Sequence, residues 1–426
     1  MYCGSCLRDN ALAAELLSRR HEVTLVPVYT PTLTDEPNVS RRRVLFGGIN
    51  VYLQQRSPFF RHRRPLLDRV LDHPAVIGAL AARSVSTDPQ VLGDLTLSML
   101  EGTSGLLARE FEKLLAWLAD EPTPDIVNLP NSLLIGLARP IAAALKRPVC
   151  CTLQGEELFL AGLLPPYRDR AIELIRQQVR HVDRFVAVSD FCARAMTEAL
   201  KIPPDRMATV PLGVNVEGYE RRGRGRNGGA TGSNHVFKVG YLARVAPEKG
   251  LYLLADAYQR FRRRQPEPRA RLDAAGYLAP GDHAYLAGVR QTLDRAGLGA
   301  EFTYYGAVDL DGKRAFLGNL DVLSVPATYD EPKGLSLLEA MASGVPVVQP
   351  RRGAFAEIVE RTGGGLLVEP DDPESLATGL ETLYRDQPLK EKLGRQAFEG
   401  VRAHYTVQQS ADRLIAVYEE LARRPR

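Results

Sequence analysis

Short apolar, β-branched runs alternate along this chain with segments whose apolar residues recur at helical spacing. Apolar runs bounded by turn residues predict strands at 21–29, 125–129, 148–153, 184–189, 236–242, 271–277, 302–306 and 321–326. Spacings of three and four residues predict helices at 10–19, 190–200, 251–261 and 406–423. Strands that alternate with helices form parallel sheets with right-handed crossovers, so the pattern predicts an α/β fold.

The predicted elements fall into two blocks. The chain has 426 residues, which is more than one hydrophobic core usually organises. We therefore expect an N-terminal domain over 1–213, a connection over 214–235, a second domain over 236–404 and a C-terminal helix over 405–426. Gly, Arg and Ser dominate 221–234, and this composition predicts a flexible hinge or an exposed loop.

The segment with the clearest candidate functional residues contains two glutamates eight positions apart, Glu331 and Glu339. Gly334 opens a predicted helix between them, and Gly344 and Pro346 end it. A helix start free of bulky side chains is an anion site, because its unpaired N–H groups and its dipole both favour phosphate. Eight residues of helix rise about 12 Å, so the two carboxylates cannot act as an adjacent pair. They suit the two ends of an elongated ligand with anionic charge in its middle.

This segment resembles the E-x7-E motif of retaining family-4 glycosyltransferases with the GT-B fold. The resemblance implies that Glu331 contacts the donor sugar and that Glu339 binds the nucleotide ribose. It also implies that the backbone at Gly334 and Leu335 holds the diphosphate. Without the resemblance, the same residues indicate an amphipathic helix with incidental glutamates, and a second motif decides between the two interpretations.

That second motif is a loop with two cations, Arg244 and Lys249, after the predicted strand 236–242. Loops at strand ends are where an α/β sheet binds a diphosphate. Arg can form bidentate hydrogen bonds to two phosphate oxygens, and Lys acts as a point charge. The loop resembles the family's Gly-x-Leu…Lys-Gly element, in which an Arg and a Lys neutralise the leaving diphosphate. The resemblance covers 236–404 closely and the first half of the chain more loosely.

In the N-terminal half, the resemblance points to residues at two places. Family members usually carry a His at the end of the strand before the acceptor pocket, where this chain has Gln154, followed by Gly155 and Glu156. Gln can hydrogen-bond a sugar hydroxyl but cannot shuttle a proton at neutral pH. Gly4 and Ser5 lie in the expected glycine turn and are assigned to donor binding.

The chain opens at that turn, without the strand that normally begins such a domain. Loss of a central strand would leave buried N–H and C=O groups unpaired, each at a cost of about 1–3 kcal/mol. We therefore expect Met1 to be an internal methionine, with the natural protein beginning about ten to twenty residues earlier, enough for a strand and a turn.

Composition sets limits on the function. The apolar content of 45% and charged content of 25% are ordinary for a soluble globular protein. A net charge of +4 is too small to indicate binding of nucleic acid.

Cys3 and Cys6 form a C-x-x-C pair, but no second pair completes a metal site, so we expect no metal and no cofactor. The absence of a signal peptide and of an apolar run of roughly twenty residues predicts a cytoplasmic protein.

Residues 40–69 combine basic and aromatic character with a single acid, Asp68. This segment suits an anionic membrane surface or an anionic acceptor, which would place the protein at the inner face of the membrane. A solvated loop of the acceptor domain is the alternative. The basic residues are Arg41, Arg42, Arg43, Arg56, Arg61, Arg63, Arg64 and Arg69.

These observations predict a retaining, metal-independent glycosyltransferase of the hexosyltransferase class. Two Rossmann-like, doubly wound domains are expected to face each other across a cleft. The C-terminal domain would bind a UDP- or GDP-sugar, and the N-terminal domain a glycan, lipid or small-molecule acceptor, with no nucleic acid involved. The alternatives are a non-catalytic nucleotide-sugar-binding protein and a nucleotide-sugar epimerase. A glycosidase is disfavoured because it needs two carboxylates roughly 5–10 Å apart at one bond.

Overall fold

The computed structural model describes residues 4–28, 32–41, 89–220, 236–267 and 269–424. These residues form two compact units. The N-terminal unit runs to Pro211 and takes in the chain again from Ala411, whereas the C-terminal unit is Leu212–Ser410. The basic and aromatic segment predicted at 40–69 lies outside the described residues apart from its first two, and the hinge predicted at 221–234 lies outside them entirely.

The N-terminal unit contains a four-stranded parallel sheet in the order β1-β2-β3-β4. The strands are β1 (Val127–Leu129), β2 (Val149–Leu153), β3 (Arg184–Ala187) and β4 (Met207–Thr209). The helices are α1 (Gly4–Ser18), α2 (Pro89–Leu100), α3 (Ala108–Asp120), α4 (Ala138–Leu145), α5 (Glu157–Ala161), α6 (Tyr167–Gln178) and α7 (Asp190–Leu200). All of β2 and β3 is buried, as expected of parallel strands covered on both faces.

Two local predictions in this unit are wrong. The expected strand at 21–29 forms no ladder over its described residues 21–28, where Leu25 O accepts a hydrogen bond from Arg41 N at 2.8 Å. Pro27 supplies no N–H, and Val26 packs against the core without strand pairing. The expected turn before the first helix is also shorter, because α1 already begins at Gly4.

The C-terminal unit contains a six-stranded parallel sheet in the order β10-β9-β8-β5-β6-β7. Its strands are β5 (Phe237–Leu242), β6 (Ala270–Ala275), β7 (Phe302–Tyr304), β8 (Val322–Leu323), β9 (Val347–Pro350) and β10 (Gly365–Val368). Its helices are α8 (Leu251–Arg264), α9 (His283–Arg295), α10 (Leu310–Gly318), α11 (Leu335–Ala342), α12 (Ala354–Thr362), α13 (Pro373–Arg385) and α14 (Gln387–His404). The C-terminal unit therefore forms a doubly wound α/β sheet, as predicted.

The strand order reverses between β5 and β8. From β5 the chain moves outward through β6 and β7, then returns to the other side of β5 and continues through β9 and β10. Loops that leave neighbouring strands at such a reversal diverge and open a crevice at the carboxyl edge of the sheet, where open α/β sheets bind ligands. The loops after β5 and β8 are therefore expected to line a ligand site.

Close backbone contact fixes these loops. Gly250 has a φ of +75°, and a Cβ there would lie 1.8 Å from Pro326 O. Gly276 has a φ of +142°, and a Cβ there would lie 1.8 Å from Ala243 O. Only glycine permits such approaches at positive φ. The loop after β5 is thus held on one side by the chain after β8 and on the other by the chain after β6.

The last helix, α15 (Val407–Ala422), begins in the C-terminal unit and belongs to the N-terminal unit from Ala411 onward. There Ala411 and Leu414 pack in one cluster with Leu12 and Leu16 of α1. The predicted apolar stripe of 406–423 is the face that makes this contact.

Candidate functional site

The loops after β5 and β8 meet through their backbones. Thr328 N donates to Glu248 O at 2.9 Å, one residue before Lys249. This bond places the side chains that follow β8 beside the cations that follow β5. The sheet thus brings together the two motifs that the sequence keeps eighty-two positions apart, measured between Lys249 and Glu331.

Lys249, Tyr329 and Glu331 form a closed hydrogen-bonded cluster. Lys249 Nζ lies 2.5 Å from Glu331 Oε2 and 2.5 Å from the Tyr329 hydroxyl. The same hydroxyl donates to Glu331 Oε2. Lys249 Nζ also lies 4.9 Å from the centroid of the tyrosine ring. Each of the three groups therefore contacts the other two.

The cluster keeps Glu331 ionised although its side chain is only 8% exposed. Burial raises the pKa of a carboxyl group, but the charges of Lys249 and Lys333 and the hydrogen bonds from Lys249 and Tyr329 lower that of Glu331 to about 2. Burial and the neighbouring Glu331 raise the pKa of Tyr329, so this phenol keeps its proton. At neutral pH the cluster therefore consists of the Lys249 ammonium, the Glu331 carboxylate and the neutral Tyr329 hydroxyl, which bonds both.

The backbone of Glu331 is held from the other side by the start of α12. Ala354 N donates to Glu331 O at 2.8 Å. Gly353 precedes it with a φ of +54°, and a Cβ there would lie 2.5 Å from Glu331 O and 2.6 Å from Glu331 N. The position of Glu331 is therefore fixed through both its side chain and its main chain.

Helix α11 begins directly after this loop, as the sequence predicts. Gly334 precedes its first residue with a φ of +67°, and no side chain caps the helix start. Leu335 is its first residue. The N–H groups of the first turn and the helix dipole are therefore directed toward the loop that holds Glu331, and this arrangement favours an anionic ligand.

Glu339 lies inside α11 and has a buried partner. Lys313 Nζ of α10 lies 2.5 Å from Glu339 Oε1. Both residues are less than a tenth exposed. A buried carboxylate is stabilised by such a cation, whereas either charge alone would be costly in this environment. Lys313 was not anticipated from the sequence, because nothing in its own segment indicates a partner in the next helix.

Arg244, the second predicted cation, pairs with Glu248 within the same loop. Its side chain is 38% exposed, which is nearly twice the value of 20% for Lys249. Its backbone oxygen accepts a hydrogen bond from the Tyr241 hydroxyl at 3.0 Å. The main chain of Arg244 is thus anchored, while its side chain is paired with Glu248 and partly exposed.

The predicted acceptor residues in the N-terminal unit form a buried polar network at the end of β2. Gln154 Nε2 donates to Pro130 O at 2.8 Å and to Asp9 Oδ2 at 3.2 Å. Glu156 accepts from Ser132 N and from Gln154 N, each at 2.8 Å. Within the described part of the chain, Gln154 Oε1 has no partner.

The network changes what these residues can do. The two carboxylate oxygens of Glu156 accept hydrogen bonds from the loops after β1 and β2 and so hold these loops together. In this structure Glu156 therefore has a structural role. Gly155 supports the turn between them with a φ of +108°. Asp9 of α1 belongs to the network but was not anticipated from the sequence. Gly4 and Ser5 lie in the first turn of that helix, and donor binding by them stays a prediction.

The described residues contain neither a candidate metal centre nor a helix suited to span a membrane. No group of three or more His, Cys, Asp or Glu side chains is placed to hold a metal ion there. None of the helices described is both long and apolar enough to cross a bilayer.

Comparison with protein families matches both halves of the chain. The model described as "Glycosyl transferases group 1" matches residues 232–400, and the model described as "Glycosyltransferase Family 4" matches residues 98–217. The phosphatidyl-myo-inositol mannosyltransferase of Mycobacterium leprae is 30% identical over 273 residues, which cover 61% of this chain and 62% of that protein. The chain thus spans about six tenths of the length of this relative.

Solved structures show the same architecture. The Anabaena HepE structure in complex with UDP aligns with a TM-score of 0.63 and 20% identity, over 75% of this chain and 84% of that one. A glycosyltransferase from Rickettsia africae aligns with a TM-score of 0.61 and 16% identity, over 95% and 100% of the two chains. At these identities the likeness concerns the fold, and it matches the predicted GT-B architecture of two Rossmann-like domains.

Proposed function

This chain belongs to the family-4 glycosyltransferases with the GT-B fold, and we propose that it transfers a sugar from a nucleotide-sugar donor to an acceptor hydroxyl with retention of configuration. The observation that carries the proposal is the cluster at the carboxyl edge of the C-terminal sheet. It joins Lys249 to Glu331 at 2.5 Å, beside the uncapped start of α11. A cation, a fixed carboxylate and free helix N–H groups suit a sugar diphosphate.

Each donor-binding group has a distinct part in this proposal. The N–H groups at Gly334 and Leu335 receive the diphosphate, and Arg244 and Lys249 neutralise its charge. Glu331 accepts hydrogen bonds from the hydroxyls of the donor sugar, which requires the ionised carboxylate that the cluster maintains. Glu339, held by Lys313, binds the ribose hydroxyls.

The transfer step needs no protein nucleophile in this proposal. The bond between the anomeric carbon and the diphosphate oxygen breaks, and the acceptor oxygen bonds to that carbon on the same face. The acceptor proton passes to the departing phosphate oxygen. The cations stabilise the negative charge that develops on the diphosphate, and such preorganised stabilisation is usually the largest catalytic contribution.

The N-terminal unit supplies the acceptor site in this proposal. Gln154 can orient a hydroxyl group but cannot act as a base, which agrees with a step in which the leaving group takes the proton. We propose a UDP- or GDP-sugar as donor; the Anabaena neighbour was solved with UDP, and the mycobacterial relative is described as a mannosyltransferase. Contact of segment 40–69 with an anionic membrane stays a prediction.

The proposal is tested by incubating the full chain with UDP- and GDP-sugars, with and without glycan, polyol and lipid acceptors. Release of nucleoside diphosphate that depends on acceptor, together with an unchanged anomeric coupling in the product by NMR, would support retaining transfer. Donor binding without release would indicate a non-catalytic binding protein. Conversion of the donor sugar in the absence of acceptor would indicate an epimerase. An inverted product would contradict retention.

We expect the activity to be independent of divalent metal. Arg244 and Lys249 supply the positive charge that Mg²⁺ or Mn²⁺ provides in enzymes that clamp a diphosphate with metal. The initial rate should therefore be the same, within error, after treatment with EDTA and after addition of MgCl₂ or MnCl₂. A loss of activity in EDTA that Mn²⁺ restores would contradict this expectation.

We expect Gly353→Ala to lower kcat by about 100-fold, the effect of misplacing a substrate-positioning group by about 1 Å. The new Cβ would lie 2.5 Å from Glu331 O, so the backbone of Glu331 has to shift. Gly288→Ala is the matched control, because its Cβ would have no neighbour within 4 Å. Steady-state kinetics on both variants checks the result, and a fully active Gly353→Ala would contradict the proposed position of Glu331.

A further inference from the structure

Tyr329 hydrogen-bonds both of the charged groups, Lys249 and Glu331, to which the proposed function assigns a role in donor binding. It comes two residues before Glu331, in the loop that Thr328 ties to the backbone of Glu248. Its hydroxyl accepts from Lys249 Nζ at 2.5 Å and donates to Glu331 Oε2. A phenol that keeps its proton can do both at once, whereas a phenolate could only accept.

A lysine and a glutamate alone would not hold this arrangement. The lysine side chain is a flexible four-carbon stem with a point charge, so a single ion pair leaves its position weakly defined. Here the side chain of Lys249 is 20% exposed and that of Glu331 is 8% exposed. The tyrosine gives the ammonium a second, fixed partner and leaves its third N–H for an incoming ligand oxygen.

We propose that Tyr329 is a positioning residue, whose hydroxyl holds the Lys249 ammonium and the Glu331 carboxylate in the arrangement that sugar transfer requires. The inference rests on the proposed function and deepens it. Tyr329 does not act as an acid or base in this role, since burial and the adjacent Glu331 raise its pKa. It acts through the two residues that it bonds.

The decisive variant is Tyr329→Phe, which keeps the ring and removes the hydroxyl. Loss of hydrogen bonds to two charged groups should lower kcat/KM for the donor by about ten- to a hundredfold. The change should appear mainly in kcat, because Lys249 and Glu331 remain present. Tyr384→Phe is the matched control: it removes a hydroxyl that bonds Glu267 O at 3.3 Å in another part of the unit.

A pH measurement separates positioning from a structural role. The Tyr329 hydroxyl bonds the ionised form of Glu331, so its removal should raise the pKa of that carboxyl above its value of about 2. The acid limb of kcat/KM should then move to higher pH in Tyr329→Phe and stay unchanged in Tyr384→Phe. The carboxyl carbon of Glu331, assigned with Glu331→Gln, should titrate by NMR at higher pH in Tyr329→Phe than in wild type.

The outcomes distinguish this inference from the proposed function. An inactive wild type with every sugar nucleotide would count against the function, and the NMR titration would still test Tyr329. An active wild type, together with Tyr329→Phe of equal kcat/KM and an unmoved Glu331 titration, would overturn the inference alone. If Tyr329→Phe loses activity, unfolds at a lower midpoint and leaves the Glu331 titration unchanged, then Tyr329 has only a structural role. That result would also overturn the inference.

Discussion

Lys249→Ala is expected to lower kcat/KM by about 10³-fold. Removal of a preorganised group that stabilises developing charge typically costs about 10²–10³-fold in rate. The substitution has a second effect, because Glu331 loses the charge that does most to offset its burial. The pKa of that carboxyl would then rise, which favours the protonated form that binds sugar hydroxyls less well. Arg244→Ala lacks this second effect and should cost about 10²-fold.

Exposed cations of the same unit are the matched controls for this comparison. Arg263 of α8 and Lys392 of α14 are both exposed, and alanine at either position should leave the rate unchanged. Steady-state kinetics with the preferred donor, with circular dichroism to verify folding, measures all four variants. Near-normal turnover in the Arg244→Ala/Lys249→Ala double mutant would contradict the proposal that these two cations neutralise the diphosphate.

The two glutamates should differ in which constant they change. Glu331→Ala should lower kcat by about 10²–10³-fold while the affinity for plain nucleoside diphosphate changes little, because Glu331 is proposed to act at the sugar. Glu339→Ala should lower that affinity by about tenfold or more, since it would remove the proposed hydrogen bonds between the ribose and a charged group. Calorimetry with UDP and GDP measures the affinities. Equal losses of affinity in both mutants would contradict the division of roles.

The buried partner of Glu339 complicates this experiment. Glu339→Ala leaves Lys313 buried without its carboxylate, and breaking a buried pair costs about 3–5 kcal/mol of stability. The informative comparison is therefore Glu339→Gln with the double variant Lys313→Met/Glu339→Leu, which removes both charges. If the ribose contact is the cause, both should bind nucleoside diphosphate weakly, even where the double variant unfolds at the wild-type temperature. Tight binding by the double variant would exclude the ribose role.

The sequence predicted several elements of the C-terminal unit because their signals are local. Apolar runs and turn residues predicted β5, β6 and β7, and the glycines around the E-x7-E motif predicted α11 within a residue of its observed ends. The position of Glu331 in a loop and of Glu339 in a helix followed from helical rise alone. These features depend on neighbours within one turn or one strand, so a single sequence contains them.

The contacts that make the site depend on the fold and were not predicted. Lys313 meets Glu339 across 26 positions, and Tyr329 meets Lys249 across 80. Neither partner has a local pattern that distinguishes it from other lysines or tyrosines. The expected strand at 21–29 is wrong because the apolar residues Val26 and Val28 pack against the core, while the described residues 21–28 form no ladder. Side-chain pairing and strand pairing are both decided by tertiary context.

The reversal of strand order between β5 and β8 also determines when the site comes into existence. During synthesis, β5 and the loop after it leave the ribosome long before the chain that supplies Glu331 and Gly353, so a nascent unit has Lys249 without its partner Glu331. Before β8 can pair in parallel with β5, a long loop has to close. The chain loses conformational entropy in this closure before favourable contacts form to offset it. Under the proposed function, donor binding is therefore a property of the completed unit, and a sugar nucleotide would stabilise only fully folded molecules.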